Sequence, residues 1–436
     1  MIGLLDCNNF YVSCERLFDR KLEGKPVVVL SNNDGCIISR SNEAKKIGIR
    51  MGEPLFKAKE KIKKFDIQVR SSNYSLYADI SSRVMKIVKK VCNDIEIYSI
   101  DEVFLGLEYI KNRELFCFLL KKKILQCTGI PVSIGIAKNK TLSKIANKIA
   151  KQQSSNFKNS RFNGIFEISS DKKSDEVLKN ISIQDIWGVG RALSKFFNDI
   201  GISNAYQLKN INENFIRQEK GVVMHRTILE LRGFKCFNIE KLEIKKKSIC
   251  VSRSFGEKTS CYYSIKDALI LYVQKASEKL RSYNLSCGCI SVFLQTSRYE
   301  KKFYAQSEKF IFNEPVIDTR IIWKKADYLL RKIYLKNYYF NKVGVILLDL
   351  KENSEIQRYL FNKNKKIDKK NSNLMNAVDL INKKFGEGVI KISSDTGGSL
   401  NNTKTNNSKS DKKWFMKSNF VSPCYTTRWC DIPKVK

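Results

Sequence analysis

Three acidic residues carry the first chemical signal. Asp6 ends the apolar run "IGLLD", and Asp101 and Glu102 stand side by side in "YSIDEVFLGL", Tyr98 to Leu107. Carboxylates in strand-like apolar surroundings are costly unless a cation meets them there. If the two runs neighbour each other in one sheet, three such groups converge, repel and hold raised pKa values until a cation joins them. Mg²⁺ suits that set, because it prefers oxygen ligands and keeps positions open for water or phosphate. Two such ions about 4 Å apart can activate a 3′-hydroxyl and steady a departing pyrophosphate. A plainer reading makes Asp6 a helix cap and Asp101–Glu102 a solvated turn, and spacing alone leaves both open. A triphosphate facing such metals needs positive charge. Lys45, in "SNEAKKIGI", and Lys151, ending "KTLSKIANKIAK", could supply it, although single helix lysines usually face solvent. Tyr11 opens the helix after the first strand, where pattern alone makes an aromatic a core residue.

The elements that must position these groups alternate along the first part of the chain. "IGLLD", "VVVLS" and "CIISR" read as strands, the last two split by the turn-like "NNDG". "EPLFKAKEKIKKF" and "YSLYADISSRVMKIVKKVC" have helical spacing. Ile95 to Leu105 alternates as two strand-like runs, which puts Asp101 and Glu102 at a hairpin bend. The helix "RELFCFLLKKKILQC", the strand "PVSIGIA" and the helix "NKTLSKIANKIAK" complete an α/β domain.

A helical region follows. In "ISIQDIWGVGRALSKFFNDIGIS" a helix, the hairpin Gly188-Val189-Gly190 and a second helix predict a backbone site for duplex phosphates. The charged stretch "FKCFNIEKLEIKKKS" has no period and reads as a linker. Beyond it the order βαββαβ predicts a ferredoxin-like domain, one sheet face under two helices and the other free for a partner. From about Lys351 the chain turns polar, as expected of a disordered or tethering tail. Within it "QRYLF" has the aromatic and leucine anchors of a docking peptide.

Composition narrows the class. With 436 residues the chain needs several domains, and 42% hydrophobic and 28% charged residues are ordinary for a globular protein. A formal net charge of +36 is not ordinary and favours a polyanionic partner, nucleic acid before membrane. No run is long and apolar enough to span a bilayer, and "MIGLLDCNNFY" lacks the basic start of a signal peptide. Thirteen scattered cysteines, without a CxxC pair, predict reduced and mostly buried thiols in a cytosol. A single histidine, His225, leaves little for a zinc site or a histidine-based triad.

The strings "LLDCNNFYVSCERLF", "GKPVVVLSNNDGCIISRSNEAKKIGI", "SNYSLYADISSRVM", "EIYSIDEVF", "GIAKNKTLSKIANKIAK", "IWGVGR", "SRSFGE" and "SPCYTTRW" resemble, in order and over nearly the whole chain, the Y-family DNA polymerases of the UmuC type. The resemblance implies α/β and α+β domains: a palm at 1–168 with fingers inserted at about 24–72, and a helical thumb with helix-hairpin-helix at 169–234. It further implies a linker at 235–248, a ferredoxin-like little finger at 249–350 and a flexible C-terminal tail at 351–436. It implies error-prone, template-directed synthesis across damage in the SOS response, with two Mg²⁺ ions held by Asp6, Asp101, Glu102 and the carbonyl of Cys7.

Tyr11 then matches a steric gate against the 2′-hydroxyl, and Ser39, Lys45 and Lys151 match triphosphate contacts. Gly35, Cys36, Ile37 and Ile38 match the finger segment over the nascent base pair, and Gly188, Val189 and Gly190 the phosphate-binding hairpin. Many family members have Tyr and Arg where this chain has Asn42 and Lys45; a lysine is a point charge and makes no bidentate clamp. Gln357, Leu360 and Phe361 would anchor a sliding clamp. Implied partners are primer-template DNA, dNTPs, that clamp, a processed UmuD-type dimer and a RecA filament, with no membrane, in a bacterial cytoplasm at the nucleoid. A non-catalytic DNA-binding scaffold on the same fold is the alternative. A palm-type cyclase has no use for the hairpin and the basic βαββαβ domain.

Overall fold

The structure is a computed structural model that describes residues 1–156, 163–240, 245–300, 302–352, 365–386, 388–392 and 417–432. It comprises two compact units, Met1–Glu243 with Ser418–Lys436, and Ile244–Lys417.

The first unit is built on β1 (Ile2–Cys7), whose six residues are all buried. Three more strands serve a small second sheet: β2 (Val27–Leu30), β3 (Ile37–Arg40) and β4 (Gln68–Ser71), in the order β3-β2-β4. The main sheet is completed by β5 (Ile95–Ile97), β6 (Glu102–Gly106), β7 (Val132–Ala137) and β8 (Ile165–Glu167), in the order β5-β6-β1-β7-β8. Central β1 and β7 are buried throughout, and apolar but for Asp6 and Ser133, because both faces are covered. One face carries Leu5, Val103, Leu105, Ile134 and Ile136 against helices Tyr74–Val91 and Arg113–Thr128. On the other lies helix Lys140–Asn156. That helix sits so close that a Cβ built on Gly135 would lie 2.1 Å from the Asn147 backbone nitrogen.

The run "VVVL" of β2 is shared between two cores. Val27 and Val29 join the main core, and Val28 and Leu30 face the core of the small sheet with Ile37, Ala44 and Ile49. A period of two explains the split.

The helical region differs from expectation at one point. The stretch before Gly188 is only a 3₁₀ turn, Ile183–Asp185, whereas the helix after Gly190, Arg191–Asp199, forms as expected. Gly188 and Gly190, seven and nine residues after Ile181, end any helix before it lengthens. The expected linker is also partly docked. The backbone nitrogen of Phe237 donates to the Glu230 carboxylate at 3.0 Å, that of Glu240 donates to Glu96 at 2.6 Å, and Ile239 packs on Ile2, Leu4 and Phe104.

The second unit has the order βαββαβ: β9 (Ser248–Thr259), helix Tyr262–Ser282, β10 (Leu285–Thr296), β11 (Ala305–Val316), helix Thr319–Ile333 and β12 (Phe340–Glu352). Its antiparallel sheet runs β11-β10-β12-β9, so β12 separates β9 from β10 and β10 separates β11 from β12, the split arrangement. Ile249, Val251 and Phe255 alternate into the core, while Cys250 on the opposite face is exposed.

The tail is a correction. Helix Lys365–Phe385 falls within the stretch read as disordered, and it is tied down: the Arg281 guanidinium bonds both Asp379 carboxylate oxygens at 2.6 and 2.7 Å. Met375 is buried there. The sparse apolar residues of "NSNLMNAVDLI" recur at helical spacing, a pattern masked by the lysines and asparagines around it. The cysteines correct another expectation. All thirteen are unpaired, but only Cys7, Cys14, Cys92, Cys117, Cys287 and Cys289 are buried. No helix among the described residues is long and apolar enough to cross a membrane.

Gly135→Ala tests the close approach of helix and sheet. Its methyl meets backbone, which cannot swing aside, so the protein should lose about 3 kcal/mol or more of stability, read as a lowered thermal midpoint.

Candidate active site

Register brings the carboxylates together. β1 and β6 are antiparallel, with Asp6 directly opposite Glu102 and Leu5 opposite Val103. Directly opposed residues of an antiparallel pair share one face, their Cβ atoms about 5 Å apart. One step further the Cys7 nitrogen donates to the Asp101 carbonyl at 2.9 Å. The bend is real, and Glu102 is the first residue of β6 rather than part of the turn. Ser99 shapes it: its hydroxyl donates to Asp101 Oδ1 at 2.7 Å and accepts from the Glu102 nitrogen at 3.0 Å.

Each side chain has its own partner. Asp6 Oδ2 lies 2.5 Å from Lys151 Nζ, and Glu102 lies 3.0 Å from Lys144 Nζ. Among the described residues no three acidic, histidine or cysteine side chains are already drawn into a metal cage. The electrostatics nevertheless fit a cation. Asp6 is 7% exposed, and its pKa is pushed up to about 6, first by burial and then, against the pull of Lys151, by Glu102 and Asp101. A buried oxygen donor with two acidic neighbours is a site short of positive charge, which the lysine ammonium groups supply here.

Lys144 escaped the reading of the sequence. Lys140, Lys144, Lys148 and Lys151 lie on helix Lys140–Asn156, and they bind Glu96, Glu102, Asp185 and Asp6 respectively. Spacings of four, four and three residues place them on one face, a signal visible in "KTLSKIANKIAK". Lys144 Nζ also sits 4.4 Å from the Tyr98 ring centroid and 5.5 Å from that of Trp187.

Lys45 reaches the same region from the short helix Asn42–Lys46 that follows β3. Its ammonium donates to Asn9 Oδ1 at 2.5 Å, and burial, then Arg40 and Lys151, lower its pKa while Asp6 raises it. The structure thus gathers Asp6, Lys45 and Lys151. Asn42 accepts from Asn9 Nδ2 at 3.0 Å, so the two asparagines and Lys45 form one polar cluster.

Tyr11 lies on helix Phe10–Phe18, which follows β1 through Asn9 in the left-handed region (φ 48°). Its ring stacks on Tyr77 at 4.4 Å between centroids and 16° between planes, with Tyr74 edge-on at 6.2 Å. Burial, then Tyr74 and Asp101, raise its pKa, so the phenol lies within the field of the acidic corner.

The finger segment divides. Gly35, Cys36 and Ile38 are half-buried, but Ile37 is fully buried in the core of the small sheet and presents nothing to a ligand. Alternation along β3 makes that unavoidable. Ser39 is buried as well, on the same alternation. Gly188 has φ 87°, a backbone open to glycine, and Gly190 precedes helix Arg191–Asp199, at whose start the described residues supply no side-chain cap. Val189 is buried beneath that turn. Gln357, Leu360 and Phe361 lie outside the described residues.

Comparison with known proteins places this geometry. Residues 5–148 match the impB/mucB/samB family, residues 246–360 the C-terminal domain of that family, and residues 372–435 a domain of unknown function (DUF4113). The chain is 38% identical to protein UmuC of Salmonella typhimurium over 441 residues, covering 100% of both chains. It is 34% identical to DNA polymerase IV of Picrophilus torridus over 253 residues, 56% of this chain and 70% of that one. In fold it is similar to a Y-family DNA polymerase chimera of Dbh and Dpo4, with a TM-score of 0.65 and 22% identity, covering 81% of this chain and 100% of that one. The opposed carboxylates, the two-sheet first unit and the full-length identity therefore lead to one conclusion: the chain belongs to the impB/mucB/samB family, UmuC-like Y-family DNA polymerases of translesion synthesis.

Proposed function

We propose that this chain performs the family's reaction, DNA-directed DNA synthesis across damaged template, at the corner where Asp6 faces Glu102. The observation that carries the reading is the β1–β6 register, which sets a buried Asp6 with a raised pKa opposite Glu102 and next to the Asp101 turn. Asp6, Asp101, Glu102 and the Cys7 carbonyl would hold divalent cations, two Mg²⁺ in the full site. Bound there, such ions neutralise a triphosphate and ease deprotonation of a primer 3′-hydroxyl.

The chain's own groups do the rest. Lys151 and Lys144, which contact Asp6 and Glu102, would meet the phosphate oxygens of a nucleotide held at that corner. Lys45 adds charge from the finger side, with Ser39 too buried to serve as more than a lining residue. Tyr11 presents its ring where the sugar would lie, so a 2′-hydroxyl collides with it. Gly35, Cys36 and Ile38 offer small and aliphatic surface to the nascent pair, a loose support that tolerates distorted bases. The backbone of Gly188 to Gly190 and the free helix start at Arg191 suit duplex phosphates, and the net charge of +36 supplies non-specific affinity.

Primer-template DNA and dNTPs are the substrates in this reading. A processed UmuD-type dimer, a RecA filament and a sliding clamp docked at Gln357, Leu360 and Phe361 are the proposed partners, in the bacterial cytoplasm at the nucleoid.

Primer extension with Mg²⁺ tests the assignment. Asp101→Ala should abolish synthesis while duplex binding persists; synthesis that survives removes the mechanism and leaves the scaffold alternative. Tyr11→Ala should raise ribonucleotide incorporation, measured as the ratio of kcat/KM for rCTP and dCTP. A third outcome concerns charge. In chelator, the raised pKa of Asp6 means the folded state holds its proton longer than the unfolded state, so stability falls as pH rises from the usual carboxylate value toward 6. Asp6→Asn should then stabilise the metal-free protein by roughly 2–3 kcal/mol at pH 7.5 and not at pH 3.5, seen in paired thermal melts.

A further inference from the structure

The last described stretch of the chain returns to the first unit and ends beside the Tyr11 helix. The sheet order leaves β4 at an edge, and Val421 pairs with Ser71 of β4 as an isolated parallel bridge. The bond network is dense. The Ser71 nitrogen donates to the Phe420 carbonyl at 3.0 Å, the Phe420 nitrogen donates to Ser71 Oγ at 3.0 Å, and the Asn419 nitrogen donates to Asp34 Oδ2 at 2.8 Å. Asn73 Nδ2 donates to the Ser422 carbonyl, Ser422 Oγ and the Pro423 carbonyl at 3.2, 3.0 and 3.1 Å. The Asn73 side-chain oxygen meanwhile caps helix Tyr74–Val91 through the Leu76 nitrogen. Tyr425 stacks on Phe18 at 4.8 Å and 7°. One short segment therefore grips both helices that carry the aromatic stack.

A single buried carboxylate links that grip to the stack. Glu15, 1% exposed and one turn beyond Tyr11, accepts from the Tyr77 hydroxyl at 2.7 Å and from Ser422 Oγ at 3.1 Å, both on Oε1. Tyr77 is itself fully buried, and its ring is the plane on which Tyr11 lies. Burial raises the Glu15 pKa, and the two hydroxyls offset that effect. An apolar residue there would leave the buried Tyr77 hydroxyl without its acceptor, so carboxylate and ring are tied together.

We propose that Asn419–Tyr425 is a brace for the sugar-discriminating ring, with Ser422 a positioning residue that acts through Glu15 and Tyr77 on Tyr11. The proposal rests on Tyr11 being the steric gate. With Ser422 in place the shared acceptor holds the Tyr77 ring, and Tyr11 cannot tilt away from a 2′-hydroxyl. Without it Glu15 keeps one donor, the two helices lose their tie and the stack loosens.

The test is single-nucleotide extension by the full-length chain with rCTP and dCTP. Ser422→Ala and Tyr77→Phe should each raise the rCTP to dCTP ratio of kcat/KM about fivefold, the net size of one ordinary hydrogen bond. The change should appear in KM for rCTP, with dCTP extension near the parent value for Ser422→Ala. The double variant should be no worse than either single one, since both act through Glu15. Tyr425→Ala should act in the same direction and Tyr425→Phe should not. If Ser422→Ala lowers both nucleotides alike, or shifts only the melting temperature, the segment is structural and the brace is refuted. If Tyr11→Ala changes the ratio but Ser422→Ala and Tyr77→Phe do not, the brace falls and the gate stands. If Tyr11→Ala leaves the ratio unchanged, the gate reading falls and the brace with it.

Discussion

The pairing of β1 with β6 is the constraint from which the site follows. A shift of one residue would turn the side chains of one strand to the opposite face and send Glu102 away from Asp6. The register is held by the apolar residues behind the carboxylates. Leu5 and Val103 face the main core, and Leu4 and Phe104 the opposite one, so any slip would expose both sets. The price of the arrangement is a buried acidic corner, and the rest of the first unit is organised to offset it.

Helix Lys140–Asn156 provides the offset. It can approach the sheet closely because residue 135 has no side chain, and in that position four of its lysines meet four carboxylates. Asp6 and Glu102 are each engaged by a lysine of that helix. In the function proposed above, Lys144 and Lys151 would also meet the phosphates of a bound nucleotide.

Much of this was legible in the sequence, for local reasons. Asp6 and the Asp101–Glu102 pair stood out because carboxylates interrupt apolar runs, and the βαββαβ order could be read from periodicity. Other features were hidden by neighbours far along the chain. Ile37 looked like part of a finger surface until β3 alternation put it in a core. The helix Lys365–Phe385 was concealed by its polar composition and is held by Arg281 of a helix almost a hundred residues earlier. Lys144 was one lysine among many until Glu102, Tyr98 and Trp187 surrounded it. Glu15 looked like an ordinary helix residue, since nothing near it predicts a hydroxyl arriving from Ser422.

By itself the sequence determined the chemical inventory: which residues carry charge, which runs are strands and helices, and which motifs announce a polymerase. Those properties depend on residue type and on spacing within a few turns. Tertiary structure alone decided which lysine meets which carboxylate, which face of β3 is a core, and that residues 419–425 clasp the helices Phe10–Phe18 and Tyr74–Val91. Such pairings join residues tens to hundreds of positions apart, and only the packing of sheets and helices sets the distances over which charge and hydrogen bonds act.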